Sequence, residues 1–298
     1  MEGIAIYIIS SGRPKNVQRM QRQHLPNLAV TWIVPFPQIY DYKSAGALKV
    51  ITCGKSALGQ DLCPSRNLAL QHAFDQNLAC VQLSDDLIKM SWWVRDRSNS
   101  LERKRLSIAT ATEIILKQLK LDNFHLGGGM PTNNTFWAQS SSKQGDLTNK
   151  AYTTHHFILG DFMVIRPSHL RFNENLSLKE DYEYTVQHIK EYGGVVRCFQ
   201  ILGKWQHYTN EGVVVRYRMD EEEVRNIRLL RELHPGWFVG HKTGSKVQAT
   251  LKAPAKFRLL STVAKKAVSD REKNGSVQSK ASDTHSLVSS AVPEGHKV

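Results

Sequence analysis

Short apolar runs that stop abruptly at polar or proline residues constrain this chain most. Ile4–Ile9 stops at Ser10-Ser11-Gly12, residues 30–34 stop at Pro35, and residues 48–52 are short and β-branched. Continuous runs of this kind are typical of parallel strands buried on both faces. Because segments of helical composition separate them, they predict an α/β fold. Its parallel, doubly wound sheet would carry a nucleotide-sized crevice at the carboxyl ends of the strands.

The same patterning predicts the remaining elements. Further strands are expected at residues 79–83, 157–159, 162–166 and 195–202, and helices at 14–24, 64–74, 101–121, 180–192 and 220–233. Gly127-Gly128-Gly129, with Pro131 close behind, predicts a loop. The α/β domain is expected to span 1–240, followed by a basic extension at 241–267 and a disordered tail at 268–298, where core-forming residues run out.

Composition narrows the class of protein. The 298 residues carry a formal net charge of +13, which favours an anionic partner such as nucleic acid, a sugar nucleotide or acidic lipid. A basic tail that only keeps the chain soluble is the alternative. No apolar run approaches the roughly 20 residues that span a bilayer, and Met1-Glu2-Gly3 is acidic. We therefore expect no membrane association and no secretion, but an intracellular protein, nuclear if the source is eukaryotic. Reduced thiols are expected, rather than disulfides or a zinc site, at Cys53, Cys63, Cys80 and Cys198.

Two carboxylate motifs could carry chemistry. Ser84-Asp85-Asp86 ends a predicted buried strand, where paired carboxylates suit a hard divalent cation that also binds a diphosphate; an ordinary acidic turn is the alternative. Asp181, in Lys179-Glu180-Asp181, opens a predicted helix whose dipole would keep it ionised, as a general base should be. Any helix N-terminus favours carboxylates, so a purely structural role is the alternative there.

Three further positions complete the candidate set. Hydroxyls, a glycine and basic groups that could receive a nucleotide occur at Ser10, Ser11, Gly12 and Arg13 after the first strand, and at Arg66 and Asn67 at a helix start. His207 follows a strand, and its imidazole would suit Mn²⁺ better than Mg²⁺ in a carboxylate–diphosphate shell. A packed or surface histidine is the alternative.

The order of these motifs over residues 1–215 resembles that of a glycosyltransferase of the GT-A fold, which implies a Rossmann-like mixed sheet with flanking helices. Ser84-Asp85-Asp86 stands in the place of the D-x-D motif of that family, Glu180-Asp181 in the place of its x-E-D motif, and His207 in the place of its metal histidine. A serine replaces the first aspartate of D-x-D here. Asp86 is therefore the better candidate for the metal ligand, and Ser84 and Asp85 are assigned with the nucleotide-binding residues.

A narrower resemblance lies in the words Trp32-Ile33-Val34-Pro35, Arg66-Asn67-Leu68-Ala69-Leu70 and Gln82-Leu83-Ser84-Asp85-Asp86, and in the stretch from Tyr40 to Gly46-Ala47. They look like the glycosyltransferases associated with TET/JBP-type DNA hydroxylases, which include the base J glucosyltransferase. This resemblance implies transfer of a hexose from UDP-glucose to a hydroxymethylated pyrimidine in DNA, with a hydroxylase acting upstream. Asp86 and His207 would hold the divalent metal, Mn²⁺ or Mg²⁺, and Asp181 would act as the base of an inverting reaction.

Two segments fit a DNA acceptor. The stretch 89–105 interleaves six cations with Trp92-Trp93, which predicts phosphate contacts or, alternatively, a solvated helix face. The loop expected at 125–137 has residues suited to a flipped base, although a turn with a packed tryptophan is the alternative. Two other function classes stay open. One is a transferase for a protein, glycan or lipid-linked acceptor, and the other is a non-catalytic nucleic-acid binder with a degenerate transferase fold.

Overall fold

The computed structural model describes residues 3–53, 62–95, 101–130, 152–206, 219–243, 246–252 and 254. The strands are β1 (Ile4–Ile9), β2 (Val30–Ile33), β3 (Lys49–Ile51), β4 (Ala79–Ser84), β5 (Leu87–Arg95), β6 (Leu101–Arg105), β7 (Leu126–Met130), β8 (Tyr152–Thr153), β9 (Phe162–Ile165), β10 (Val196–Trp205), β11 (Phe238–Thr243) and β12 (Lys246–Leu251). The helices are α1 (Asn16–Arg19), α2 (Ile39–Ser44), α3 (Leu62–Phe74), α4 (Ile108–Asp122), α5 (Glu180–Tyr192) and α6 (Met219–Leu233). A π-helical stretch, Met20–His24, extends α1, and a 3₁₀ turn, Phe36–Gln38, precedes α2.

One mixed sheet dominates the described part of the chain. Its order is β3-β2-β1-β4-β9-β7-β10-β5-β6, and the short β8 pairs with β10. The first four strands are parallel, β9 runs antiparallel between β4 and β7, and β10 is parallel to β7. The last two strands form an antiparallel hairpin beside β10. The protein is therefore α/β, and the sheet is mixed, with only its first four adjacent strands wholly parallel.

Helices cover both faces of this sheet. Residues of α1, α2 and α4 pack into one hydrophobic cluster, and residues of α3, α5 and α6 into a second. Successive residues of β1 enter opposite clusters, with Ile6 and Ile8 in the first and Tyr7 in the second. A central strand buried on both faces needs an uninterrupted apolar run, which explains the sequence pattern of Ile4–Ile9.

Three predicted elements differ from the structure. The helix expected at 101–121 is wrong in its first part, because Leu101–Arg105 pairs with β5 and α4 begins only after Ser107, whose Oγ accepts a hydrogen bond from the Thr110 amide at 3.0 Å. Ser107 was the N-cap signal that marked this boundary. The strand expected at 157–159 is absent from this described stretch. Its central residue, Ile158, is buried and donates its amide to Thr185 Oγ1 at 3.0 Å.

The glycine run is the third difference, since Gly127, Gly128 and Gly129 belong to the buried strand β7 and form no loop. A Cβ at Gly127 would lie 2.5 Å from Ile115 Cγ2, and one at Gly128 would lie 2.7 Å from the Phe162 carbonyl oxygen. The glycines therefore allow close approach of α4 and β9 to the centre of the sheet. The sequence around the glycines does not indicate this requirement, because the groups that pack against them are distant along the chain.

The predicted domain boundaries can be placed on the described elements. The boundary expected at residue 240 falls inside β11, which pairs with β12 and lies against α6. The tail expected at 268–298 lies outside the described residues. Of the helices described, none is long and apolar enough to cross a membrane.

Gly128→Ala tests the packing at the centre of the sheet. The new methyl group would meet the Phe162 carbonyl, which cannot move without disturbing β9, so we expect a loss of about 1–3 kcal/mol in the free energy of unfolding. Urea denaturation measures it. Gly3→Ala is the matched control, because its methyl group would meet only the Leu78 side chain. Equal stability of the two variants would contradict this account.

Candidate active site

The carboxyl ends of β1 and β4 place the first group of candidate residues side by side. The two strands are parallel and in register, with Ile9 opposite Ser84. Residues 10–13 and Asp85-Asp86 therefore leave the sheet at the same edge. This is where open α/β sheets form their ligand crevices.

Arg13 lies between the two carboxylates. Its Nη2 is 2.5 Å from Asp85 Oδ1, and its Nη1 is 3.6 Å from Asp86 Oδ2. The Arg13 side chain remains 17% exposed, whereas those of Asp85 and Asp86 are 0% and 5% exposed. The guanidinium thus balances the two acids and is the part of this cluster most open to a ligand.

Asp85 is also held by a hydrogen bond from Ser10, which is itself bonded to Tyr42. Ser10 Oγ donates a hydrogen bond to Asp85 Oδ2. Because that uses the only proton of the serine hydroxyl, the Tyr42 hydroxyl must donate to Ser10 Oγ, while it accepts a hydrogen bond from the Arg13 amide at 3.0 Å. Burial raises the pKa of Asp85 to about 6, against the opposing effect of Arg13. Ser10 and Asp85, both expected to touch a nucleotide, are buried, and Asp85 holds Arg13 in place.

The other predicted nucleotide-binding residues of this edge are differently placed. Ser11 is partly exposed, and the amide of exposed Gly12 donates to Gln38 Oε1 at 2.7 Å. Ser84 Oγ donates to Asp86 Oδ1 at 2.6 Å, which orients the carboxylate that the sequence assigns to the metal. Gly12 and Arg13 are therefore the residues of the first turn most accessible to a ligand, because the hydroxyl oxygen of Ser11 is buried.

A short backbone bridge links this cluster to Asp181. The Ser84 amide donates to the Asp161 carbonyl at 2.9 Å, and the neighbouring Gly160 amide donates to Asp181 Oδ2 at 3.0 Å. Asp181, in the first turn of α5, thus lies at the same edge of the sheet as Asp86. The structure brings together the two carboxylates that the sequence placed almost a hundred residues apart.

Burial sets the ionisation of Asp181. Its pKa is raised to about 7, first by burial and then by the adjacent Glu180 carboxylate, against hydrogen bonding from Gly160 and the charges of Arg66 and Lys179. The helix dipole favours the ionised form of Asp181, and burial opposes it. Burial here raises the pKa of the carboxyl toward neutral pH.

Arg66, predicted to contact a nucleotide, is buried and bonded to protein groups. Its Nε and Nη2 each lie 3.2 Å from Glu180 Oε1, its Nη1 donates to Gln82 Oε1 at 3.1 Å, and its Nη2 donates to the Gly160 carbonyl at 3.2 Å. A Cβ at Gly160 would lie 2.3 Å from Arg66 Nη2, so only glycine fits there.

Asn67, the neighbour of Arg66, is likewise occupied by protein groups. Its side chain pairs with both backbone polar groups of Phe172, donating to the carbonyl at 3.0 Å and accepting from the amide at 2.8 Å. Nδ2 also lies 3.1 Å from Glu174 Oε1. Asn67 therefore fixes the segment before α5 and has no contact of its own with the crevice residues described above.

His207 lies outside the described residues, but the residue before it touches the candidate metal ligand. The Gln206 amide donates to the Asp86 carbonyl oxygen at 3.0 Å. Within the described residues, no group of three His, Cys, Asp or Glu side chains could hold a metal ion. Asp86 is consequently the one predicted metal ligand whose surroundings the structure gives.

Sequence reasoning missed Tyr42, Gly160 and Gln82, which orient the predicted residues. Tyr42 and Gln82 are 0% exposed, and a polar group so fully buried must find partners. Gln82 sits within the apolar run of β4, which was the available signal. No comparable signal marked Tyr42 or Gly160.

Comparison of the sequence with models of known protein families and with curated proteins found no match.

Arg66→Met is expected to cost about 3–5 kcal/mol of unfolding free energy, because it leaves the buried Glu180 carboxylate without its cation. Adding Glu180→Gln should restore part of that loss. The control is Arg225→Met, which removes the surface pair with Glu222 and should cost below about 1 kcal/mol. Chemical denaturation of the four proteins decides it, and equal costs for the Arg66 and Arg225 variants would refute a structural role for Arg66.

Proposed function

We propose that this chain is a GT-A-type glycosyltransferase that moves a hexosyl group, glucose from UDP-glucose, to an acceptor hydroxyl. One observation carries the proposal. Asp85 and Asp86, paired with the partly exposed Arg13, lie at the same edge of the sheet as Asp181, whose pKa is about 7. Backbone hydrogen bonds through Gly160-Asp161 join the two groups. The first group suits an anionic donor, and the second suits removal of a proton.

The donor diphosphate is assigned to the turn after β1. Arg13 presents a partly exposed side chain there, beside the exposed Gly12. Charge-assisted hydrogen bonds from a guanidinium are among the strongest contacts a phosphate oxygen can make. Asp85 and Ser10 would keep that guanidinium aimed at the donor.

A divalent cation, Mn²⁺ or Mg²⁺, fits the donor chemistry of this edge. Such ions commonly bind through one or two protein ligands together with substrate phosphates. Asp86 would be the carboxylate ligand, and His207 a second, since it follows directly on Gln206, which is bonded to Asp86. When bound, the cation would neutralise charge on the leaving diphosphate.

Asp181 is proposed as the general base. As the acceptor oxygen bonds to the anomeric carbon, the bond from that carbon to the diphosphate oxygen breaks, and the hydroxyl proton passes to the Asp181 carboxylate. A base with a pKa near the working pH combines a useful ionised fraction with proton affinity. Single displacement gives a β-linked product from an α-linked donor.

The proposed acceptor is a hydroxymethylated pyrimidine in DNA, as the family resemblance implies, and the net charge of +13 supports a polyanionic partner. The test incubates the full chain with UDP-sugars, Mn²⁺ and hydroxymethylated duplex DNA, then digests the DNA and analyses its nucleosides by mass spectrometry. A glucosylated nucleoside supports the proposal. Release of UDP only with protein, glycan or lipid-linked acceptors would show that the acceptor is one of these and not DNA. If no UDP-sugar is turned over, the glycosyltransferase proposal is wrong.

Asp181→Asn should lower the transfer rate by roughly 10²-fold or more, the usual contribution of a general base. In the unchanged protein the rate at saturating substrates should rise with pH through about 7, because only the ionised carboxylate can accept the proton. Steady-state rates between pH 5.5 and 8.5 measure this. Glu191→Gln, on the exposed side of the same helix, is the control. A normal rate for Asp181→Asn, or an α-linked product, would remove Asp181 from the mechanism.

Asp86→Asn should weaken Mn²⁺-dependent binding of UDP, because a neutral amide is a poorer ligand for a hard cation. Titration calorimetry with UDP, with and without Mn²⁺, gives this binding independently of turnover. EDTA should abolish transfer by the unchanged protein. Full activity in EDTA, or identical Mn²⁺-dependent UDP binding by Asp86→Asn, would exclude a metal held by Asp86.

A further inference from the structure

Two lysines face each other across the sheet beside the crevice. In the antiparallel pair β10–β5, Lys204 lies directly opposite Lys89, and both side chains are exposed. Like charges in directly opposed positions repel and destabilise a sheet. An external anion that contacts both lysines would relieve this repulsion.

The basic row continues across the hairpin. Ser91 pairs with Arg105 and Trp93 with Arg103, so both arginines leave the strand on the sheet face of Lys89 and are exposed. The Arg105 guanidinium also donates to the Gln23 carbonyl at 2.9 Å. This arrangement replaces the solvated helix face considered for this stretch. The row of cations spans three strands that are about 4.8 Å apart.

Charge on the other face of the hairpin is balanced. Glu102 and Lys104 belong to that face and pair with each other at 3.4 Å. By contrast, none of the ion pairs within the described part of the chain includes Lys89 or Lys204. The two lysines therefore carry charge that an external anion could balance.

The lysine pair adjoins the candidate active site. Lys89 is three residues after Asp86, and Lys204 is two residues before Gln206, whose amide bonds to the Asp86 carbonyl. Arg13 already serves a diphosphate at the crevice. The row of cations extends from the crevice across β10, β5 and β6. Such a row can contact several phosphates of one chain, whereas a small anion would contact only part of it.

We propose that Lys89 and Lys204 bind the phosphodiester backbone of a DNA acceptor next to the crevice. This inference rests on the proposed function and adds to it the surface that positions the acceptor. Base chemistry plays no part in it, so the contact is indifferent to sequence and sensitive to salt.

The test compares Lys89→Gln/Lys204→Gln with Lys43→Gln/Lys117→Gln, a control that removes the same charge from two other exposed lysines. Fluorescence anisotropy with a labelled hydroxymethylated duplex, and no UDP-sugar, gives Kd over a series of salt concentrations. Losing two phosphate contacts should reduce the log–log salt slope by about 1.8 and weaken binding roughly ten-fold or more at low salt. The control should keep the slope of the unchanged protein.

Equal slopes for the two double variants would overturn the proposal, as would polyglutamate that competes as well as DNA at equal charge. Because the binding assay contains no donor, its outcome is separable from that of the transfer assay. A slope change without transfer counts against the enzyme proposal. Transfer to DNA without a slope change counts against the lysine pair.

Discussion

The buried guanidinium of Arg66 is the interaction on which the rest of the candidate site depends. It joins Glu180 on α5, Gln82 on β4 and the carbonyl of Gly160 before β9. Those three elements carry the candidate base, the candidate metal ligand and the backbone between them. Because the cation and the Glu180 carboxylate are both almost fully buried, neither can be lost alone without leaving an unpaired charge in the protein. The pair therefore fixes the position of the proposed base on α5 relative to the proposed metal ligand after β4.

Asp85 and Asp181 differ in pKa because the charged groups nearest to them differ. Asp85 is completely buried, yet Arg13 and Ser10 offset much of the desolvation, and its pKa rises only to about 6. Asp181 has no cation in direct contact among its described partners, and the adjacent Glu180 adds to the effect of burial. Arg66 neutralises Glu180 first, so Asp181 gains less from that cation. Asp85 thus holds Arg13 in place, whereas Asp181 keeps the proton affinity that a general base requires.

Strand patterns in the first ninety residues could be predicted because β1 and β4 are buried on both faces and read as continuous apolar runs. The helix that carries Asp181 was equally clear, with Gly193 as its stop. Gly127-Gly128-Gly129 and the strand Leu101–Arg105 were missed, since their conformation depends on partners distant in sequence. For the same reason the sequence identified Arg66 as a candidate for binding an anion without indicating Glu180 as its partner. Only the fold shows that these two residues pair.

The antiparallel insertion of β9 explains how the two halves of the site come to share an edge. A strand parallel to β4 would begin at the far edge of the sheet, away from Ser84. Because β9 runs in the opposite direction, its first residues start where β4 ends, and Asp161 can bond to the Ser84 amide. The preceding Gly160 then reaches Asp181 with its amide and Arg66 with its carbonyl. A single reversal of strand direction therefore places the proposed base beside the proposed donor site, and the missing Cβ of Gly160 makes the approach close enough.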